Sequence, residues 1–316
     1  MTSTSPTVPV AKAPVRRADR VFRGLSFGSA LVILAVLAGV ALFLTAEGIP
    51  GITVSPDDSK WGQSFLAYAG PLVFGTLWAA FLALLIAAPV AIAVGLFISH
   101  YSSRKFAQPI GYVIDLLAAV PSVVYGLWGI FTLSPALVPV FEWLEDHAGF
   151  IPLFAGPASA TGRTILTGAL VLAIMVLPIM IAINREIFLQ TPRLHEEAAL
   201  ALGATRWETV KMAVFPYARS GIVSSAMLAL GRALGETMAI AMIVSASGNG
   251  RVTLNLISSD NPQTIAANIA LAFNEATGIN VNILIATGLV LFIITFIVNF
   301  AARAIVDRRK EFSGAN

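Results

Sequence analysis

Two ionisable residues stand four apart inside an otherwise apolar stretch: Arg232 and Glu236, in Gly231-Arg232-Ala233-Leu234-Gly235-Glu236-Thr237-Met238. An arginine at the centre of a membrane helix costs about 2.5–3.5 kcal/mol on insertion scales, and an acid something similar, so neither belongs there uncompensated. On a continuous helix the spacing puts both on one face, where they can meet. Gly231 and Gly235 form a small-xxx-small strip beside them that lets a neighbouring helix pack close. Two readings follow. One is a static ion pair that fixes helix packing. The other is an anion path. A guanidinium offers a planar fork of donors suited to phosphate oxygens and stays protonated. Glu236 would hold Arg232 when no anion is present, and could accept a hydrogen bond from the O–H of hydrogen phosphate, which sulfate lacks at neutral pH.

A second candidate stretch runs from Asp115 through Pro121 and Ser122 to Tyr125 and Gly126. Pro121 has no N–H and can kink a helix, freeing a carbonyl toward the bundle interior. Ser122 and Tyr125 would then offer hydroxyls to the path, although such kinks are common in spanning helices. Asp115 lies near the start of its run, where a helix N-terminus favours a carboxylate, and a structural role suits it better than a functional one.

The informative soluble segment is about 188–219. Glu197-Ala198-Ala199 leads through Leu200, Ala201 and Leu202 to Gly203, and Ala213-Val214-Phe215-Pro216 closes it. The alanines and leucines predict a short helix with Glu196 and Glu197 early in it, where the macrodipole favours acids. Gly203 ends that helix in a left-handed turn. Trp207 to Phe215 predicts a second short helix that Pro216 stops or redirects. The result is a compact knob whose alanines would let a partner approach closely.

Other chemistry is missing. No Gly-x-x-x-x-Gly-Lys-Ser/Thr loop is present, so the chain does not cradle ATP phosphates in that way, and there is no His-Glu-x-x-His pair. There are no cysteines, which removes thiolate metal sites and Cys nucleophiles. His100, His147 and His195 have no metal-ligand spacing and fall in predicted loops or span ends, where solvated surface is the default reading.

The elements that must position these residues are membrane helices. The 316 residues are 57% hydrophobic and 12% charged, against about 25% charged for a soluble domain. Six apolar runs stand out: Leu25–Thr45, Leu72–Ser99, Ile110–Leu133, Ile165–Ile187, Gly221–Ser245 and Val281–Ala302. Each reaches the roughly 20 residues needed to cross the hydrocarbon core, where only internally bonded backbone is viable. The expected fold is an all-α membrane protein with six transmembrane helices. Lys12, Arg16, Arg17, Arg20 and Arg23, then Arg104 and Lys105, then Arg185, Arg193, Arg206, Lys211 and Arg219, then Arg303, Arg308, Arg309 and Lys310 all fall on one side. Lys60, Arg163 and Arg251 fall on the other. Both termini are therefore expected to be cytoplasmic. Residues 1–20 read as a disordered cytoplasmic tail and 21–316 as the transmembrane domain, the first run being an uncleaved helix rather than a signal peptide. In the outer loop Ala246–Asn280, Thr264–Ala276 has the spacing of a short amphipathic helix.

The knob resembles the EAA loop of ABC importer permeases, with Glu197, Ala198, Ala199, Gly203 and Pro216 matching and Ala213 and Phe215 standing where Ile and Leu are usual. The segments Gly231–Met238 and Pro121–Gly126 resemble signatures of the phosphate branch of that family. Met238-Ala239 is closer to its PstC type than to its PstA type. The resemblance extends from about Arg20 to the C-terminus. It implies the type I ABC importer permease fold in the multi-pass cell membrane of a prokaryote, with no enzymatic activity and no cofactor or metal of its own. It implies a heterodimer with a PstA-type sister permease, two ATPase subunits, an extracytoplasmic phosphate-binding protein, and phosphate as cargo; nucleic acid is not a partner. Under it, Arg232, Glu236, Ser122 and Tyr125 line the substrate pathway, and the knob transmits ATPase closure. Permeases for sulfate, molybdate or phosphonate share the loop. An ion-coupled secondary carrier should show related halves with broken helices, and no internal repeat is seen. An intramembrane hydrolase would need a second carboxylate or His deep in a span, and none is present.

Overall fold

The structure is a computed structural model and describes residues 17–58, 62–244 and 252–310. Of the expected disordered tail 1–20, residues 1–16 lie outside the described residues, as do Lys60 and Arg251, whereas residues 17–20 are already helical. Among the described residues six helices are long and apolar enough to cross a membrane: Arg20–Ile52, Phe65–Tyr101, Ser122–Ala148, Ile165–Leu189, Arg206–Leu234 and Ile279–Ala304. The elements are α1 (Arg17–Ile52), α2 (Phe65–Leu96, continued by a π turn to Tyr101), α3 (Arg104–Ala118), α4 (Ser122–Trp128) and, after a π turn, α5 (Ser134–Ala148). Then follow α6 (Ile165–Leu189), α7 (Arg193–Ala201), α8 (Arg206–Thr209), a π turn over Val210–Val214, and α9 (Phe215–Leu234). The chain closes with α10 (Met238–Ile243), α11 (Ile265–Ala272) and α12 (Ile279–Lys310).

Helix α2 packs along α6, α1 along α12, and α6 against α9. Small residues set these distances, because apolar burial drives little helix association in lipid and close van der Waals packing must do it. Ala79, Ala83, Ala87 and Ala91 repeat at four-residue spacing along α2 and are all buried. Gly95 extends that ridge against Asn184 of α6. Asn184 in turn accepts a 2.7 Å hydrogen bond from the Ser225 hydroxyl of α9, and both side chains are fully buried. Helix α11 begins at the capping hydroxyl of Thr264 and buries Ile265. The Ile265 amide donates to Thr76 Oγ1 of α2 at 2.9 Å, which seats this short helix in the bundle.

Two spans differ from the apolar runs. The third run, Ile110–Leu133, is not one helix. Backbone helicity stops at Ala118, Pro121 stands extended before Ser122, and a new helix continues to Ala148. Proline disfavours helical geometry in the residue before it and lacks the N–H a continuing helix would use. The span therefore starts at Ser122, and the chain beyond the end of the third run is still helical, to Ala148. The fifth run breaks too: α9 ends at Leu234, Gly235 is its C-cap, and six-residue α10 follows. Glycine's low helix propensity and the acid at Glu236 place the stop there.

Pro216 departs from expectation in the opposite sense. It neither stops nor redirects the chain, because the helix runs from Arg206 to Leu234 without a gap. The π turn Val210–Val214 immediately precedes it, and Pro216 sits in the first turn of α9. The wider turn changes the ladder just where proline has no N–H to give.

Candidate functional site

The two broken spans meet. A Cβ built on Gly126 of α4 would lie 2.9 Å from the Cα of Ala239 in α10, and one on Gly129 would lie 2.6 Å from Cδ1 of Ile243. Three residues forward on α4 correspond to four forward on α10, so the half-helices run parallel, with their N-terminal ends at similar depth. Only glycine permits this approach. Discontinuous helices of this kind present positive dipole ends inside the bilayer.

Helix α10 is closed at both ends by side chains. Glu236, 8% exposed, accepts a hydrogen bond from the Ala239 amide at 3.1 Å through Oε1. Arg163, from the loop before α6, donates through Nη2 to the Met242 carbonyl at 2.8 Å and through Nε to the Ile243 carbonyl at 3.4 Å. An acid at the N-terminus and a cation at the C-terminus both suit the dipole. The break after α3 is closed in the same manner: the Tyr125 hydroxyl donates to the Leu117 carbonyl at 2.9 Å. Ser122 occupies the first turn of α4, half-buried.

Arg232 and Glu236 are not paired. The i, i+4 argument assumed one helix, and the helix ends between them. No ion pair within 4.0 Å joins them among the described residues, and Glu236 spends its carboxylate on α10. Arg232 Nε is buried without a hydrogen-bond partner. Its guanidinium lines a cavity of about 770 Å³ between α6, α9 and α12, and its charge acts on the Tyr125 phenol. The Gly231–Gly235 strip packs against no helix of this chain: nothing lies within 4 Å of a Cβ at Gly231, and only the Gly231 carbonyl meets one at Gly235. Structure therefore brings Arg232, Glu236 and Tyr125 around the paired breaks. Arg163 was missed in the sequence because it looked like one of a few outer-loop basics.

The knob lies apart. Helix α7 ends before Gly203, whose φ of +85° is the left-handed turn expected of it. Thr205 and Glu208 cap α8 reciprocally: Thr205 N–H and Oγ1 donate to Glu208 Oε2 at 2.7 and 2.8 Å, and the Glu208 amide donates back to Oγ1. Ala199 is buried, whereas Glu197, Ala198, Gly203 and Pro216 are exposed. Leu202 is 86% exposed, and it helps line a groove of about 430 Å³ with Ala198, Met212 and Tyr217. Unsheltered apolar side chains of this kind mark an interaction surface. Val210 and Val214 pack with Leu96 and Phe188 and so tie the knob to the bundle, and Glu196 lies 3.6 Å from His100 Nε2. His100 is not solvated surface. The π turn ending α2 carries it inward, where it meets the Ser99 hydroxyl at 2.7 Å and the edge of Phe188.

Known proteins resemble this chain in sequence and in fold. Residues 91–311 match the family described as binding-protein-dependent transport system inner membrane component. The chain is 40% identical over 311 residues to the phosphate transport system permease protein PstC 2 of Mycobacterium tuberculosis, covering 94% of each. It is 39% identical over 306 residues to the PstC of Mycobacterium leprae, covering 93% of this chain and 95% of that one. A solved bacterial ABC transporter involved in import of the acidic polysaccharide alginate aligns with a TM-score of 0.58 at 15% identity, over 92% of this chain and 99% of that chain. That likeness concerns fold alone.

Proposed function

The chain belongs to the binding-protein-dependent transport system inner membrane component family, and from that premise we propose that it is the PstC-type permease subunit of an ATP-driven importer of inorganic phosphate. It is a multi-pass membrane protein, and ABC importer permeases work with a second permease, an ATPase and a binding protein. The finer reading is a heterodimer with a PstA-type sister, two ATPase subunits and an extracytoplasmic phosphate-binding protein, with both termini and the knob in the cytoplasm.

One observation carries the substrate reading: Arg232 has no ion-pair partner among the described residues, its Nε is buried and unpartnered, and it lines a cavity between α6, α9 and α12. A cation so placed is costly unless an anion visits it. Phosphate handed in from the binding protein meets Arg232, whose planar donor fork matches its oxygens. The α4 N-terminus adds positive potential, and Ser122 stands in its first turn. Glu236 keeps α10 in place and so fixes the break from which Arg232 projects. When the ATPases close on ATP, the knob around Glu197–Gly203 moves with them. Pro216 lies on the same unbroken helix as Arg232, so that motion passes along one rigid element to the site. The chain supplies no ATP chemistry of its own. The test is uptake of labelled phosphate in cells depleted of other phosphate systems, with and without this chain, in competition with sulfate and molybdate. Uptake that depends on the chain and resists both competitors supports the assignment. Uptake abolished by either competitor assigns a different oxyanion.

A further inference from the structure

The cavity at Arg232 has a second cation. Its wall comprises Ile179 of α6, the stretch of α9 from Val223 to Arg232, and Asn299, Ala302 and Arg303 of α12. Two guanidiniums line it and, among the described residues, no carboxylate does. Neither arginine has an ion-pair partner among the described residues, and Arg232 Nε is an orphan. Two like charges around one space of about 770 Å³ repel each other unless an anion lies between them. The remaining polar groups fit such an anion. Asn299 brings an amide with both donor and acceptor capacity. Ser224 gives its proton to the Ser220 carbonyl at 2.8 Å, leaving its oxygen lone pairs facing outward as acceptors. A protonated oxyanion needs both kinds of partner, donors for its bare oxygens and an acceptor for its O–H.

We propose that Arg303, with Asn299, forms a second anion subsite in this cavity, to which phosphate passes from Arg232 before release. Arg303 is near the C-terminal end of α12, and six crossings bring that end to the same side as the knob. The subsite therefore lies on the exit side of the path. The proposal rests on the phosphate-permease reading and adds to it a residue that the sequence placed only as one of several terminal basics. An anionic lipid headgroup has the same phosphate chemistry and could meet Arg303 from the bilayer, so the test separates the two sources.

The whole transporter, reconstituted with its sister subunit, ATPases and binding protein, is assayed with phosphate added on the ATPase side. Phosphate there loads the exit subsite and slows ATP hydrolysis. In Arg303→Gln the phosphate concentration for half-inhibition rises about tenfold, as expected for losing one strong charge-assisted contact, while Arg303→Lys regains part of the effect. Vesicles of neutral phosphatidylcholine give the same shift as vesicles containing anionic lipid. Unchanged inhibition in Arg303→Gln overturns the proposal, and a shift confined to anionic vesicles assigns Arg303 to lipid and overturns it too. If wild type fails to move phosphate at all, the functional reading fails instead, and the two failures are told apart.

Discussion

The knob and the intramembrane break both interrupt a helix, but they satisfy the interrupted backbone by different means. In the knob, Gly203 supplies a left-handed turn and Thr205 with Glu208 caps the next helix locally, within three residues and in solvent reach. At the membrane breaks the partners come from farther away: Tyr125 reaches eight residues back to Leu117, and Arg163 reaches about eighty residues forward to Met242. Water can complete a poorly capped turn in the knob. In the hydrocarbon region nothing can, so each freed group must find a protein partner. Loss of a cap should therefore matter more in the membrane than in the knob.

Among the groups that close the interrupted helices, the largest effect is expected where the half-helices touch. A side chain at Gly126 would press on the Ala239 backbone, a collision that cannot be relieved by rotating a flexible group. Gly126→Val should reduce phosphate uptake about tenfold or more at equal membrane abundance, since overpacking costs about 1–3 kcal/mol. Near-normal uptake would mean α4 and α10 do not need to meet. Next comes Glu236. Glu236→Gln keeps an acceptor for the Ala239 amide, whereas Glu236→Ala removes it. Uptake should survive largely in the former and fall about fivefold in the latter, matching a lost cap of about 1 kcal/mol. Equal loss in both would give the charge itself, rather than the cap, the principal role. Tyr125→Phe removes one hydrogen bond of about 1 kcal/mol, and initial uptake rates should drop about two- to fivefold. The smallest change is expected for Thr205→Ala in the knob, where solvent substitutes for the hydroxyl; substrate-stimulated ATP hydrolysis should stay within about twofold of wild type. A Thr205→Ala defect larger than that of Tyr125→Phe would reverse the comparison.

The same contrast explains what could be read from the residues alone. The six crossings follow from apolar length, and the knob from local chemistry: Glu196 and Glu197 early in its first helix, alanines before Gly203, and the left-handed turn at Gly203. Each signal lies within a few residues of its consequence. The breaks do not work that way. Pro121 and Gly235 looked compatible with kinked but continuous spans, because whether a membrane helix can stop depends on distant groups such as Arg163. The expected Arg232–Glu236 pair failed for this reason. Four-residue spacing brings side chains together only on an intact helix, and the acid serves the next helix instead. Pro216 is the converse: a residue that should break a helix sits in an unbroken one because a π turn precedes it.

The account depends most on Arg232 acting as a cation for the transported anion rather than as a packing element. The direct measurement is the initial rate of labelled phosphate uptake in cells depleted of other phosphate systems, comparing wild type, Arg232→Lys and Arg232→Gln at matched membrane levels. Uptake should fall more than about a hundredfold in Arg232→Gln, as expected when a buried charge-assisted contact worth about 3 kcal/mol is lost, and Arg232→Lys should retain a measurable fraction. Full uptake in Arg232→Gln would contradict the account and leave the arginine a structural role only.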